Sequence, residues 1–231
     1  MSSAPAVHIQ RLRFAYRTGP LVLDIEELLV PAGEKVFLHG PSGSGKTTLL
    51  GLIAGVLKAS QGEVRVLGTD LGAISGAKRD EFRGTRMGYV FQMFNLIPYL
   101  TALENITLPC RMKPARRARV EGSLEDAARA LADRLEITGH LRQKPGELSV
   151  GQQQRVAACR ALLGAPELVV ADEPTSALDH DRRTRFLELL FDSCDSVGAT
   201  LLFVSHDRTL EGLFDRALSL PDVNRIGQAA A

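Results

Sequence analysis

The 231-residue chain has no tryptophan, only three cysteines, 5% aromatic residues and no excess charge of either sign, with 28 Lys and Arg against 27 Asp and Glu. Each shortage excludes something. Cys110, Cys159 and Cys194 are odd in number, widely spaced and without metal-ligand spacing, which excludes a disulfide framework and a zinc site and leaves reduced core or surface thiols. The balanced charge gives no overall basic field for nucleic acid or acidic lipid, so no nucleic-acid partner is expected and any such contact would need a local patch. Apolar runs such as Leu168-Val169-Val170-Ala171 fall far short of the roughly 20 residues that cross a bilayer, and Met1 to Gln10 lacks the charged start and apolar middle of a signal peptide. The chain therefore reads as soluble and cytosolic. What it does have is 45% apolar residues, enough at this length for one large domain, or one with small subdomains, and too many for a disordered chain.

Short β-rich runs alternate with helical patterns, the mark of an α/β layer architecture. Lys35 to His39 reads as a strand and Lys46 to Val56 as the helix after a glycine-rich turn. Val64 to Leu67 and Met87 to Phe91 read as strands, with a polar helical stretch near Ala77 to Arg83 between them. Leu168 to Ala171 and Leu201 to Val204 are continuous apolar runs, as expected of central parallel strands covered on both faces. From Thr101 to Gly146 the texture changes: Leu124, Ala127, Ala128, Leu131 and Leu135 recur at helical spacing, which predicts a helical insertion. Val7, Ile9, Leu12, Phe14 and Tyr16 partly alternate and precede the run Leu21 to Val30, which predicts an antiparallel sheet beside the core. The terminal Ala229 to Ala231 is expected to fray.

Gly40-Pro41-Ser42-Gly43-Ser44-Gly45-Lys46-Thr47 fits the phosphate-loop pattern G-x-x-x-x-G-K-[ST] and lies between an apolar strand and an apolar-faced helix, where the mechanism requires it. The glycines let successive N–H groups converge on phosphates, and the helix N-terminus adds favourable partial charge. Lys46 is expected to reach the β and γ phosphates of a nucleotide, Thr47 to place its hydroxyl on Mg²⁺, and Thr48 to belong to the same nucleotide-binding set. The expected fold is thus α/β: a P-loop NTPase core with a mainly parallel sheet, an antiparallel β subdomain and a helical insertion at about residues 101–146, all within one domain spanning residues 1–231.

Downstream, the apolar strand Leu168 to Ala171 ends in Asp172 and Glu173, whose side chains point to different sides of the strand end. Asp172 is placed to hold Mg²⁺, and Glu173 to orient or deprotonate an attacking water.

Leu148-Ser149-Val150-Gly151-Gln152-Gln153-Gln154-Arg155, some twenty residues before the acidic pair, closely resembles the signature motif of ATP-binding-cassette ATPases. The resemblance covers nearly the whole chain: Tyr16 matches the aromatic that stacks on adenine, Gln92 the Q-loop glutamine, Ser176-Ala177-Leu178-Asp179 the D-loop, and His206 the switch histidine. It implies catalytic roles for Glu173, His206 and Gln92. It further implies Mg²⁺ held by Thr47, Gln92 and Asp172, and nucleotide contacts from Tyr16, Ser149, Gly151, Gln152 and Asp179. In that family Ser149 and the Gly151 backbone grip the γ-phosphate bound to an opposite copy, so a homodimer is implied. One position departs from the Leu-Ser-Gly-Gly-Gln pattern: Val150 stands where a glycine is usual. A β-branched residue disfavours positive φ, so hydrolysis would be slowed if that position needed it.

Phe91 to Pro98 and Thr101 to Pro109 look most like the lipoprotein-release and macrolide-export cassettes, which serve separate integral membrane permease subunits. The resemblance implies a peripheral subunit on the cytoplasmic face of the inner membrane, driving lipoprotein or lipid release or drug export. Phe94, Leu96 and Ile97 read either as part of a groove for a partner's helix or as ordinary core. Arg111, Lys113, Arg116, Arg117 and Arg119 read either as a solvated face or as contacts to anionic headgroups. Two other functions stay open at this point: a low-turnover regulatory or envelope mechanotransmission module, and a soluble cassette protein acting on DNA or ribosomes.

Overall fold

The computed structural model describes residues 4–17, 19–176 and 178–226. The alanine tail expected to fray, and Ala177 of the expected D-loop, lie outside the described residues. The chain divides into two units, one formed by the residues up to Arg83 together with Thr200 and those after it, the other running from Gly84 to Ala199. The second is wider than the expected insertion at 101–146, because two strands and two long helices join it.

The first unit starts with strands β1 (Val7–Ala15), β2 (Leu21–Val30) and β3 (Lys35–His39), then helix α1 (Lys46–Ile53) and strands β4 (Gln61–Val66) and β5 (Thr69–Asp70). Four of these form an antiparallel sheet in the order β2-β1-β4-β5. The imperfect alternation in β1 has a structural cause. Val7 and Ile9 are buried, then Leu12 and Phe14, and the switch from odd to even positions falls where the register against β4 slips between Gln10 and Arg13, with Arg11 at φ 47. Gly62 permits the slip, since a Cβ there would sit 2.2 Å from the Arg11 carbonyl oxygen.

Strand β3 pairs in parallel with β8 (Thr200–Val204) and β9 (Arg216–Ser219). All five residues of β8 are buried, as a strand covered on both faces requires. Phe37, Phe203 and Phe214 pack with ring centroids 5.1–6.2 Å apart, a rigid apolar floor under the end of β3. Helix α2 (Gly76–Arg86) buries no side chain, as its polar sequence predicts.

In the second unit β6 (Met87–Val90) runs parallel to β7 (Leu168–Asp172), with Met87 opposite Leu168. The helices are α3 (Ala102–Met112), α4 (Pro114–Arg117), α5 (Leu124–Arg134), α6 (Val150–Leu162) and α7 (His180–Val197). Each of the longer helices starts on a side chain that accepts a first-turn N–H: Thr101 for α3, Ser123 for α5, Ser149 for α6 and Asp179 for α7. In α5 the amphipathic pattern buries Ala128, Leu131 and Ala132. The three cysteines are free and buried, so the core reading of them holds and the surface one does not.

The basic run near the insertion is corrected at its centre. Arg116 is neither a solvated face nor a headgroup contact: it is 3% exposed. Its guanidinium donates to the carbonyls of Leu163 (2.8 Å), Met87 (2.7 Å), Ala161 and Gly84. The Leu163 and Ala161 carbonyls lie at the C-terminal end of α6, where the helix dipole favours a cation. Desolvation pushes the Arg116 pKa down to about 10. Arg117 is half-buried and donates to the carbonyls of Val120 and Gly122, whereas Arg119 stays exposed and donates to the carbonyl of Ala165 and the carboxylate of Glu167.

Candidate active site

Helix α1 differs from the other long helices at its start. Its N-cap is Gly45, left-handed at φ 99, and no side chain caps the first turn. The N–H groups of that turn have no partner within the helix and no capping oxygen, the arrangement that suits an anion. A side chain at this position would be strained by the left-handed backbone and would also push on Leu23, whose Cδ2 lies 2.8 Å from where a Gly45 Cβ would be. Lys46 Nζ folds back over the loop and donates to the carbonyls of Gly40 (2.6 Å) and Pro41 (3.0 Å). The Ser44 hydroxyl is buried and without a hydrogen-bond partner. A cation held only by neutral carbonyls, an orphaned hydroxyl and uncapped helix amides fit a polyphosphate, which supplies an acceptor for each. Ser42 and Thr47 are exposed at the loop surface.

Tyr16, just past the end of β1, is 50% exposed and joins this loop: its hydroxyl lies 3.0 Å from Thr48 Oγ1, and its ring meets Phe14 edge-on at 4.9 Å. The ring is thereby fixed with surface still open beside α1, as a base-stacking platform requires. In the same unit Val204 of β8 lies opposite Leu38, and Ser205 N–H donates to the Leu38 carbonyl. His206 therefore leaves its strand at the level where β3 enters the phosphate loop.

The second unit carries the other residues. Asp172 ends β7, half-buried, and Glu173 follows at φ 47, a left-handed conformation rare for a non-glycine residue and concentrated at functional sites. Asp172 is felt by Tyr89 on the neighbouring strand, whose pKa is raised first by burial and then by that carboxylate. Gln92 is exposed two residues after β6. Ser149 caps α6 in a reciprocal box: the Gln152 N–H donates to Ser149 Oγ at 3.3 Å, and Ser149 N–H donates to Gln152 Oε1 at 2.8 Å. The other end of the Gln152 amide donates to His140 Nε2 at 3.0 Å, so this side chain is engaged at both ends within the chain. The Ser149 hydroxyl accepts in this box and keeps its own proton to donate outward. Leu178 of the D-loop lies against the signature turn, with its Cδ2 3.8 Å from where a Gly151 Cβ would be. Asp179 accepts the Arg182 N–H and pairs with the Arg182 guanidinium, and so holds the start of α7.

Val150 is the first helical residue of α6, and its backbone is outside the left-handed region. The backbone objection to valine at this position is thereby removed. Its side chain is 46% exposed.

The sequence pattern of the family described as "ABC transporter" matches residues 23–176. The chain belongs to the ABC transporter family. It is 40% identical over 201 residues to the "Lipoprotein-releasing system ATP-binding protein LolD" of Porphyromonas gingivalis, covering 87% of this chain and 90% of that one. It is 41% identical over 223 residues to the "Uncharacterized ABC transporter ATP-binding protein YbbA" of Escherichia coli K12, covering 95% and 96%. The dimeric structure of a post-hydrolysis state of the ATP-binding cassette MJ0796 bound to ADP and Pi superposes with a TM-score of 0.81 at 33% identity, covering 92% and 93%. As an ABC transporter ATPase, the chain is the ATP-binding and ATP-hydrolysing subunit of a transporter. Among the described residues no helix is long and apolar enough to cross a membrane.

Features of this chain that the sequence motifs did not indicate are the Tyr16–Thr48 bond, the left-handed Glu173, and two buried arginines, Arg116 and Arg160. The arginines left one trace in the sequence. Arg160 lies among the small apolar residues Val156 to Leu162, where a charge at a buried helical position calls for partners.

Proposed function

We propose that two copies of this chain close head to tail around ATP and Mg²⁺, and that hydrolysis drives a separate integral membrane permease of the lipoprotein- or lipid-release or drug-export type. The work is done from the cytoplasmic face of the inner membrane. One observation carries the reading. The same chain holds an uncapped, phosphate-ready turn at Gly40–Thr48 and a capped signature turn whose Ser149 hydroxyl still has a proton to give. Names given to relatives, "Lipoprotein-releasing system ATP-binding protein", and the dimeric state of the MJ0796 cassette support the same reading.

In this scheme Lys46 leaves its own loop carbonyls to hold the β and γ phosphates, and the uncapped amides of α1 take the remaining charge. The base stacks on Tyr16, with Thr48 fixing the ring. Thr47, Gln92 and Asp172 are the candidate Mg²⁺ ligands, all oxygen donors as this hard cation prefers, and the ion, when bound, neutralises charge on the β and γ oxygens. Glu173 accepts a proton from the attacking water, the Gln92 amide orients that water, and His206 donates to the γ-phosphate. The partner copy's signature turn supplies the Ser149 hydroxyl and Gly151 N–H, with Gln152 and Asp179 holding the turn and the D-loop in place.

The permease is proposed to seat at the apolar surface after β6. Met93 is 80% and Tyr99 73% exposed in this segment, and Phe91 and Asn95 from it line a groove of about 280 Å³ with Tyr89, Leu108, Pro109 and Met112. Phe94 instead is core, 7% exposed. Glu173→Gln, which removes the base but keeps size and polarity, is expected to lower turnover about 10²- to 10⁴-fold while ATP still binds and doubles the mass seen by light scattering. A variant that stays monomeric at saturating ATP and Mg²⁺, with the co-purified permease present, would refute the head-to-tail scheme.

A further inference from the structure

Nine of the ten residues from Gln92 to Thr101 lie at least partly exposed between β6 and α3, yet the segment is pinned by two buried polar side chains from different helices. From α6, Arg160 donates through Nη1 to the Asn95 carbonyl at 2.7 Å and through Nη2 to the Phe94 carbonyl at 2.5 Å. From α3, the fully buried Asn105 accepts the Ile97 N–H at 2.8 Å and donates to the carbonyls of Ile97 and Thr101 at 3.1 and 3.0 Å. The two residues held by Arg160 are both left-handed, Phe94 at φ 57 and Asn95 at φ 48. Asparagine tolerates this conformation, but for phenylalanine it is unfavourable and persists only where the surroundings impose it.

The arginine is itself an unusual choice. It is 9% exposed, and no carboxylate pairs with it among the described residues; desolvation lowers its pKa. A buried guanidinium without a counter-ion is costly, and the compensation here is the pair of charge-assisted bonds to two successive carbonyls. Two adjacent carbonyls suit a planar fork, whereas a lysine ammonium is a point charge with no fixed fork. Arg160 therefore belongs to the same helix as the signature turn, ten residues along it, and ends on the loop that begins with Gln92.

We infer that Arg160 is a positioning residue that fixes the pose of the glutamine loop from the signature helix, so that Gln92 and the exposed Met93 follow α6 when it moves. This rests on the reading of Gln92 as a residue of the reaction. The bond also accounts for the left-handed pair, because releasing the two carbonyls lets Phe94 and Asn95 relax to ordinary backbone.

Hydrogen exchange on the full chain tests it, with Arg160→Lys, Arg160→Gln and Arg160→Met compared with wild type. The expected result is faster exchange confined to residues 93–98, smallest for Lys and largest for Met, at about tenfold or more for Met, the factor equivalent to one lost hydrogen bond. Unaltered exchange in α3 and in the first turns of α6 should accompany it. ATP turnover should fall in the same order while KM for ATP stays within a factor of about two, a loss of catalysis without loss of binding. Exchange at 93–98 equal to wild type in all variants overturns the inference. So does acceleration spread evenly over the second unit, which would make Arg160 a general strut, and so does faster loop exchange with unchanged turnover. If Arg160→Met does not fold, Arg160→Lys carries the same readouts. A Gln92→Ala chain with wild-type turnover would overturn the reading of Gln92 and leave the exchange result standing, so the two failures are distinguishable.

Discussion

The hydroxyls of Tyr16 and Thr48 are 3.0 Å apart, a bond across 32 residues that ties the strand end of the antiparallel sheet to the first turn of the phosphate-loop helix. The ring beside the loop is thus held by the loop itself.

Tyr16→Ala is expected to weaken ATP binding by about 1–3 kcal/mol, the usual contribution of base stacking on an aromatic. Tyr16→Phe keeps the ring and loses only the hydroxyl contact, so its affinity should stay near wild type while stability falls by about 0.5–1.5 kcal/mol. Calorimetric titration with ATP separates the two. Equal affinity in both variants and wild type would remove the stacking role.

Val150→Gly should leave the steady-state ATPase rate within about threefold, a barrier change of roughly 0.6 kcal/mol. The position is an ordinary helical one, a backbone that valine adopts as readily as glycine does. A large gain in phosphate release on substitution would show that the exposed isopropyl group obstructs the site.

Arg116→Met should destabilise the chain by about 3–5 kcal/mol in urea unfolding, because it strands carbonyls buried on one guanidinium. Arg116→Lys should recover only part of this, since a point charge does not reproduce the fork. A loss below about 1 kcal/mol would return Arg116 to the surface role that the basic run suggested.

The Arg86 guanidinium grips Glu167 through two bonds, with Nε at 2.8 Å, and Arg119 adds a third at 3.2 Å; the first of these holds the Glu167 carboxyl below the usual carboxylate range. A depressed folded-state pKa means that the unfolded chain binds the proton more tightly, so this contribution is present above the unfolded value of about 4.3 and is lost as pH falls through the folded one. Wild type and Glu167→Gln should therefore differ by a constant amount at neutral pH and draw together as pH falls below the unfolded carboxyl value and through the folded one. Parallel stability curves down to acid would show that the pair contributes nothing.

Much of this was legible in the chain because it is local. The phosphate loop, its flanking strand and helix, the acid pair after Leu168 to Ala171 and the signature turn are each written within a dozen residues, where glycine conformation, apolar runs and capping side chains act directly. The amphipathic pattern around Leu124 to Leu135 found its helix for the same reason. The basic run misled at Arg116, since the acceptors that make a buried guanidinium tolerable are carbonyls of Met87 and Leu163, 29 and 47 residues away. Backbone acceptors are present at every residue and leave no mark in a sequence.

By itself the sequence determined the class of chemistry: an ATPase motif set present once, with its candidate phosphate-binding residues and the acids that follow the strand. Only the tertiary structure decided which groups hold those residues in place: Tyr16 on Thr48, Gln152 between Ser149 and His140, Glu173 in a left-handed turn, Arg160 on the carbonyls of Phe94 and Asn95. The physical reason is that chemistry follows from side-chain type and short spacing, whereas placement follows from hydrogen bonds between segments far apart in the chain, which exist only once the core has formed.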